Sequence, residues 1–183
     1  MAVGSALLTA DEYAVSPDRG EHSELVRGEI VNMNLPYPRH GMICSNVSFV
    51  LRTYLLTNDL GRIVGNDGGV ITARNPDTVR GPDVAFYSYD RVPKGKVPWK
   101  YLDVAPELVF EVRSPSDRWS KLLEKVTEYL KIGVQTVCVL DESRETCTMY
   151  TVDQPEVTLG ATDQLVIANL LPGFAVQVAK FFE

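Results

Sequence analysis

The stretch LVFEVRSPSD, residues 108–117, decides the fold. Leu108, Val109, Phe110 and Val112 form an apolar, β-rich run. Runs of this kind pack on both faces inside a sheet. Ser114-Pro115 ends it, because the residue before proline is steered away from regular continuation. Glu111 stands in the middle of the run. A buried carboxylate is costly unless a cation answers it. Two partners fit equally well at this point, a metal ion or a buried basic side chain.

Working outward, the next segment, Asp117 to Ile132, has helical periodicity, with Gly133 as its C′ residue. VQTVCVLD and TCTMYTV then read as strands. Upstream, PDVAFYS is a strand opening after Pro82, and residues 90–104 read as a loop rich in proline, lysine and glycine. GRIVGNDGGVITA reads as a hairpin turning at Asp67-Gly68-Gly69. Apolar residues at 43, 47, 50, 51, 54 and 55 give helical spacing between His40 and Asn58. SELVRGEIVNM reads as two short strands with a turn at Arg27-Gly28, and Thr9 is the N-cap of a short first helix. The tail from Gln164 reads as a strand, a turn and a short closing segment. Strands dominate and two substantial helices pack on them, which predicts an α/β (α+β) fold with a mixed β-sheet flanked by helices.

The 183 residues suit a single domain spanning 1–183. The composition, 45% hydrophobic and 23% charged, is that of a soluble globular protein, and no apolar run is long enough for a membrane span. MAVGSALLTADEY lacks a basic leader region and is read as no signal peptide. Cys44, Cys138 and Cys147 are odd in number and lack CxxC spacing, so a reducing, cytoplasmic setting is expected and a structural zinc site is not. A net charge of −6 argues against bulk nucleic-acid binding. The charge is uneven, however. Residues 74–131 hold 11 of the 18 basic and 9 of the 24 acidic residues, so that segment is +2 and the remainder −8.

Asp83 opens one strand and Glu111 lies inside the next, 28 residues later. If those strands pair, the two carboxylates converge at one end of the sheet. They would repel unless a cation shares them, and such oxygen ligands suit magnesium or manganese.

GPDVAFYS followed by APELVFEVRSPSDR resembles the Uma-type endonuclease family within the PD-(D/E)XK nuclease superfamily. ELVRGEIVNM with the later His40, EKVTEYLKIGVQTVCVLD and LPGFAVQV resemble that family's remaining blocks, in order and over nearly the whole chain. The resemblance implies a restriction-endonuclease-like fold and a Mg2+- or Mn2+-dependent cleavage of DNA. Asp83 and Glu111 would be metal-binding carboxylates, completed by the backbone carbonyl of Val112. Glu29 would be a further ligand or would hold a water. A homodimer is expected because many nucleases of this fold work as dimers.

The superfamily pattern places a lysine two residues after the glutamate, where strand alternation puts both on one face. Arg113 stands there instead. Arginine stabilises a phosphate but stays protonated and cannot serve as a base. It is a phosphate-contact candidate, or a partner for Glu29 or Asp83 that would quiet the site. In related Uma-type sequences a lysine from the following helix takes over. At roughly 100° per residue, Trp119, Leu122, Leu123, Val126 and Leu130 make one apolar face. Lys125 falls about 40° from Tyr129 at its edge, whereas Lys121 lies nearly opposite. A border lysine can lay its stem on apolar surface and point its ammonium into a site, so Lys125 is the choice. His40 is a second phosphate-contact candidate. Arg118, Lys121, Lys94, Lys96 and Lys100 are candidates to track a phosphate backbone. Three functions remain open: a metal-dependent nuclease, a catalytically inactive nuclease fold that binds nucleic acid or a protein, and a hydrolase of another phosphate ester.

Overall fold

The computed structural model describes residues 7–20, 22–95 and 97–183, so the first six residues of the expected domain and the candidate Lys96 lie outside it. The first helix, α1 (Ala10–Val15), starts at Thr9, whose side chain and that of Glu12 close a reciprocal capping box. A hairpin follows, β1 (Ser23–Val26) and β2 (Glu29–Asn32), turning at Arg27-Gly28 where both residues have positive φ. The long helix α2 (Pro38–Thr57) begins with proline at its first position, which fixes φ without losing a needed donor.

Two sheets carry the rest. β3 (Gly61–Gly65), β6 (Val84–Ser88), β7 (Leu108–Arg113), β8 (Thr136–Asp141), β9 (Thr146–Thr151) and β10 (Val157–Leu159) form one sheet of six, in the order β10-β9-β8-β7-β6-β3. β4 (Val70–Ala73) and β5 (Thr78–Arg80) join the first hairpin in a sheet of four, ordered β2-β1-β5-β4. β11 (Gln164–Val166) and β12 (Ala175–Gln177) pair separately, ahead of a 3-10 turn at Val178–Phe181. The hairpin expected at GRIVGNDGGVITA therefore does not form: β3 pairs with β6, and β4 pairs with β5 in the other sheet. The glycine-rich turn is a crossing between sheets. Gly69 packs against the Tyr101 ring there, closer than a Cβ would permit.

β7 and β8 are parallel, joined by α3 (Trp119–Lys131), which ends at Gly133 with φ +94°. The strand reading of residues 108–113 holds, and the sheet explains the continuous apolar run. Leu108, Phe110 and Val112 face one core with Ile43, Val47 and Leu51 of α2. Val109 faces a second core with Leu122, Val126 and Tyr129 of α3. Alternation puts Glu111 on the α3 face. On the far side of α2, Met42, Phe49 and Leu56 stay exposed at seven-residue intervals. No helix among the described residues is long and apolar enough to cross a membrane.

Candidate functional site

The expected convergence occurs. β6 pairs antiparallel with β7, with Val84 opposite Phe110, so Asp83 lies one residue beyond the last rung. There its Oδ2 accepts the Val112 N–H at 2.6 Å. N–H and C=O of one strand residue leave on the same edge, so the Val112 carbonyl also faces the end of β6. Asp83, Glu111 and Val112 thus gather at the carboxyl end of β7, where ligands commonly bind in sheets with parallel strands.

Glu111 is 4% exposed. Its Oε1 accepts the Tyr129 hydroxyl at 2.8 Å, and its Oε2 lies 3.6 Å from the Lys125 ammonium. Lys125 spaces correctly from Tyr129 because both project from α3 on adjacent turns. Burial lifts Glu111 above the ordinary carboxylate range, against the pull of Lys125, while Asp83 pushes it further up. Burial alone would lower Lys125, yet Glu111 and Glu24 outweigh it and hold the ammonium protonated. Tyr129 also stays protonated, through burial and the adjacent Glu111 charge, and so remains a donor.

Glu24, which sequence reasoning missed, reaches Lys125, whereas Glu29 does not. On β1 Glu24 is 4% exposed, and its Oε1 meets Lys125 Nζ at 2.8 Å. Its Oε2 meets Arg80 of β5 at 2.9 Å. Arg80 in turn grips both oxygens of Glu128 on α3, at 2.7 and 2.8 Å. Burial would raise Glu24, but Lys125 and Arg80 outweigh it and keep it ionised. The chain Glu128–Arg80–Glu24–Lys125–Glu111 ties the four-stranded sheet, α3 and β7 together. Glu29 shares a sheet face with Glu24 but lies one strand further out, near the turn. It is exposed, and its side chain forms no hydrogen bond or ion pair among the described residues. Only its position in an early acidic motif had favoured it.

His40 does reach the site. Its Nε2 is 3.3 Å from Asp83 Oδ1, and its Nδ1 is 3.4 Å from Cys44 Sγ one turn along α2. Burial would lower its pKa, but hydrogen bonding and charge from Asp83 win and raise it. Arg113 pairs with neither Glu29 nor Asp83. It pairs with Asp141 of β8 at 3.0 Å, donates to the Asp117 carbonyl and stacks on Trp119, so its charge is engaged away from Glu111. Lys121 pairs with Glu124 and Lys100 with Asp103, both exposed; Lys94 pairs with Asp59 and lies over Tyr89, and Arg118 is exposed before α3. Two open cavities, of about 570 and 510 Å³, lie elsewhere. One is at the opposite end of β8 and β9, the other beside β4 and Ile132.

The residues fit a hard divalent cation. The available donors are oxygens of Asp83, Glu111 and Val112, the type magnesium and manganese take. Glu111 supports the fit: among the described residues its one close cation sits at 3.6 Å and is held nearer to Glu24, so Oε2 keeps spare acceptor capacity.

Comparison with known proteins agrees with this architecture. The family model described as "Putative restriction endonuclease", Uma2, matches residues 10–179. The fold is similar to that of "a putative nuclease belonging to DUF820" from Anabaena variabilis, with a TM-score of 0.83 at 20% identity, covering 96% of this chain and 97% of that one. At that identity the likeness is one of fold. No curated protein matches.

Proposed function

The chain belongs to the Uma2 family, and from that premise we propose that it is a Mg2+- or Mn2+-dependent endonuclease acting on DNA phosphodiesters. The observation that carries this reading is a buried Glu111 beside Asp83, with a charged lysine from α3 aimed at it. Asp83 Oδ1, Glu111 Oε2 and the Val112 carbonyl would hold the cation. When bound, the cation lowers the pKa of a water and offsets charge on the phosphate. The protein's own groups do the rest. The Val112 N–H and the Tyr129 hydroxyl fix the two carboxylates, so little reorganisation is needed on binding. Lys125, held protonated, acts as a positive charge toward the negative charge that develops on the scissile phosphate, and not as a base. Glu24 positions that ammonium, and Arg80 positions Glu24. The free thiols of Cys44, Cys138 and Cys147 suit the reducing cytoplasm, where such a substrate lies.

The locked Arg113 and the net charge of −6 favour one rival, a nuclease fold that binds nucleic acid without cutting it. Plasmid DNA incubated with Mg2+ or Mn2+ separates the two. The proposed reaction gives nicked or linear product, and Asp83→Asn lowers the rate at least about a hundredfold. Salt-sensitive binding without product in either cation, or undiminished cleavage by Asp83→Asn, refutes the nuclease.

A further inference from the structure

We propose that His40, Cys44 and Asp83 form a second cation site, for a borderline-soft divalent ion of the zinc class, which shares Asp83 with the oxygen-lined site at Glu111. One donor atom from each of the three lies within 4.8 Å of both others. His40 and Cys44 are four apart on α2, so helical geometry stacks them on one face, opposite the start of β6. The Cys44 Sγ to His40 Nδ1 separation is 3.4 Å and the His40 Nε2 to Asp83 Oδ1 separation is 3.3 Å. Each ring nitrogen thus stands at a tetrahedral ligand spacing, about 3.3–3.6 Å for bonds of about 2.0–2.3 Å, from one partner only, and the remaining donor, within 4.8 Å, must close in on binding. The ion takes one ring nitrogen and replaces the contact that nitrogen now makes.

The donor chemistry separates the two sites. Thiolate, imidazole and one carboxylate select zinc or cobalt over magnesium, whereas carboxylates and a carbonyl do the reverse. Asp67 and Glu111 lie near Cys44, and Glu142 and Asp117 near His40, so the surroundings favour a cation. Asp83 is pre-oriented, because Val112 N–H holds Oδ2 and leaves Oδ1 toward His40. On binding, the Cys44 thiol releases its proton to solvent and the imidazole binds in its neutral form. Cys44 is partly accessible, unlike the fully buried Cys138 and Cys147. Sharing Asp83 makes zinc a competitor of magnesium; that consequence, but not the site, rests on the nuclease reading.

Cobalt(II) reports thiolate ligation directly, without any assay of cleavage. Titration of the full chain should give one cobalt per chain with a thiolate-to-cobalt charge-transfer band. Cys44→Ser should abolish the band. His40→Gln should weaken cobalt binding at least about tenfold, while Glu111→Gln, outside the three ligands, should keep the band. A wild type without the band, or a band that survives in Cys44→Ser, overturns the site. Should Cys44→Ser fail to fold by circular dichroism, unchanged cobalt affinity in His40→Gln overturns it equally. Loss of plasmid cleavage in every condition would refute the nuclease while leaving these spectra decisive.

Discussion

Replacing Lys125 by methionine keeps the stem's volume and removes the ammonium. The loss reaches two carboxylates unequally. Glu24 keeps Arg80 at 2.9 Å, but among the described residues Glu111 keeps only the Tyr129 hydroxyl. Breaking a buried pair by removing one partner costs about 3–5 kcal/mol. That figure is an upper limit here, because Glu111 can escape by taking up a proton. Its folded pKa is already raised by burial, to about 7 from 4.5. The sign follows from linkage. A carboxylate whose folded pKa is raised binds more protons folded than unfolded, so its stabilisation is complete below the unfolded pKa and is lost as pH rises through the folded one. In the variant that loss extends to higher pH, because nothing replaces Lys125.

The expected cost in Lys125→Met is therefore about 1–2 kcal/mol at pH 5, where Glu111 is protonated in both proteins and only the Glu24 contact is lost. It grows by at most about 1.4 kcal/mol, the linkage limit for one proton over the single unit above pH 7, to about 2.5–3.5 kcal/mol at pH 8, a melting point lower by roughly 5–14 °C for a chain of this size. Urea denaturation in chelator-treated buffer at the two pH values measures the difference. A cost that is the same at both, or below about 0.5 kcal/mol at pH 8, would mean that Lys125 and Glu111 do not form a buried pair.

Two further perturbations separate structural charges from site charges. Arg113→Ala should destabilise the fold by about 2–3 kcal/mol, because it strips Asp141, 2% exposed, of its cation, yet Mn2+ affinity by calorimetry should stay within about threefold of wild type. Asp77→Asn should cost about 1–2 kcal/mol at pH 7. Burial would raise Asp77, but the Ala10 N–H, Arg74 and the Asn75 N–H outweigh it and lower its pKa, so its stabilisation is present above the usual 3.8 and fades as pH falls through the depressed value. Urea midpoints for wild type and variant should therefore approach each other between pH 5 and pH 2, and parallel curves would remove the carboxylate from that role.

Local signals made some of this legible. The apolar run around Glu111, the Pro82-Asp83 strand start and the helix ending at Gly133 each rest on a few neighbouring residues, and their pairing followed. Lys125 was found by rotation about α3, a local quantity. Glu24 was not, because its partner Arg80 lies 56 residues away and nothing nearby distinguishes it from Glu29. The failed hairpin has the same cause. Asn66 and Asp67 both adopt positive φ, as a tight hairpin turn requires, yet β3 and β4 find their partners in β6 and β5. The turn falls on Asn66-Asp67 rather than on the glycines at 68 and 69, and long-range pairing decided the sheets. The stripe at Met42, Phe49 and Leu56 was hidden by the stronger pattern on the buried side of the same helix.

The two answers first open for Glu111, metal or ion pair, describe one residue in two conditions. A buried glutamate and lysine replaced by apolar residues of like volume is often neutral or more stable, so stability alone gives no reason to keep both charges in this core. Their geometry supplies one. Lys125 stands closer to Glu24, at 2.8 Å, than to Glu111, at 3.6 Å. It is near enough to keep Glu111 from being an uncompensated charge and far enough to leave Oε2 free to turn toward Asp83. The outer pairs Glu24–Arg80 and Arg80–Glu128 then explain why Lys125 stays in place when Glu111 is engaged elsewhere. Under the proposed function, cation binding at Asp83 and Glu111 should leave the Lys125–Glu24 contact intact and release the ammonium's second face toward the phosphate. A Glu24→Gln variant therefore ought to keep its Mn2+ affinity within about threefold while losing cleavage rate at least about tenfold, the split expected of a positioning residue. Equal loss of both would place Glu24 among the cation's own ligands and dissolve the distinction between the two layers.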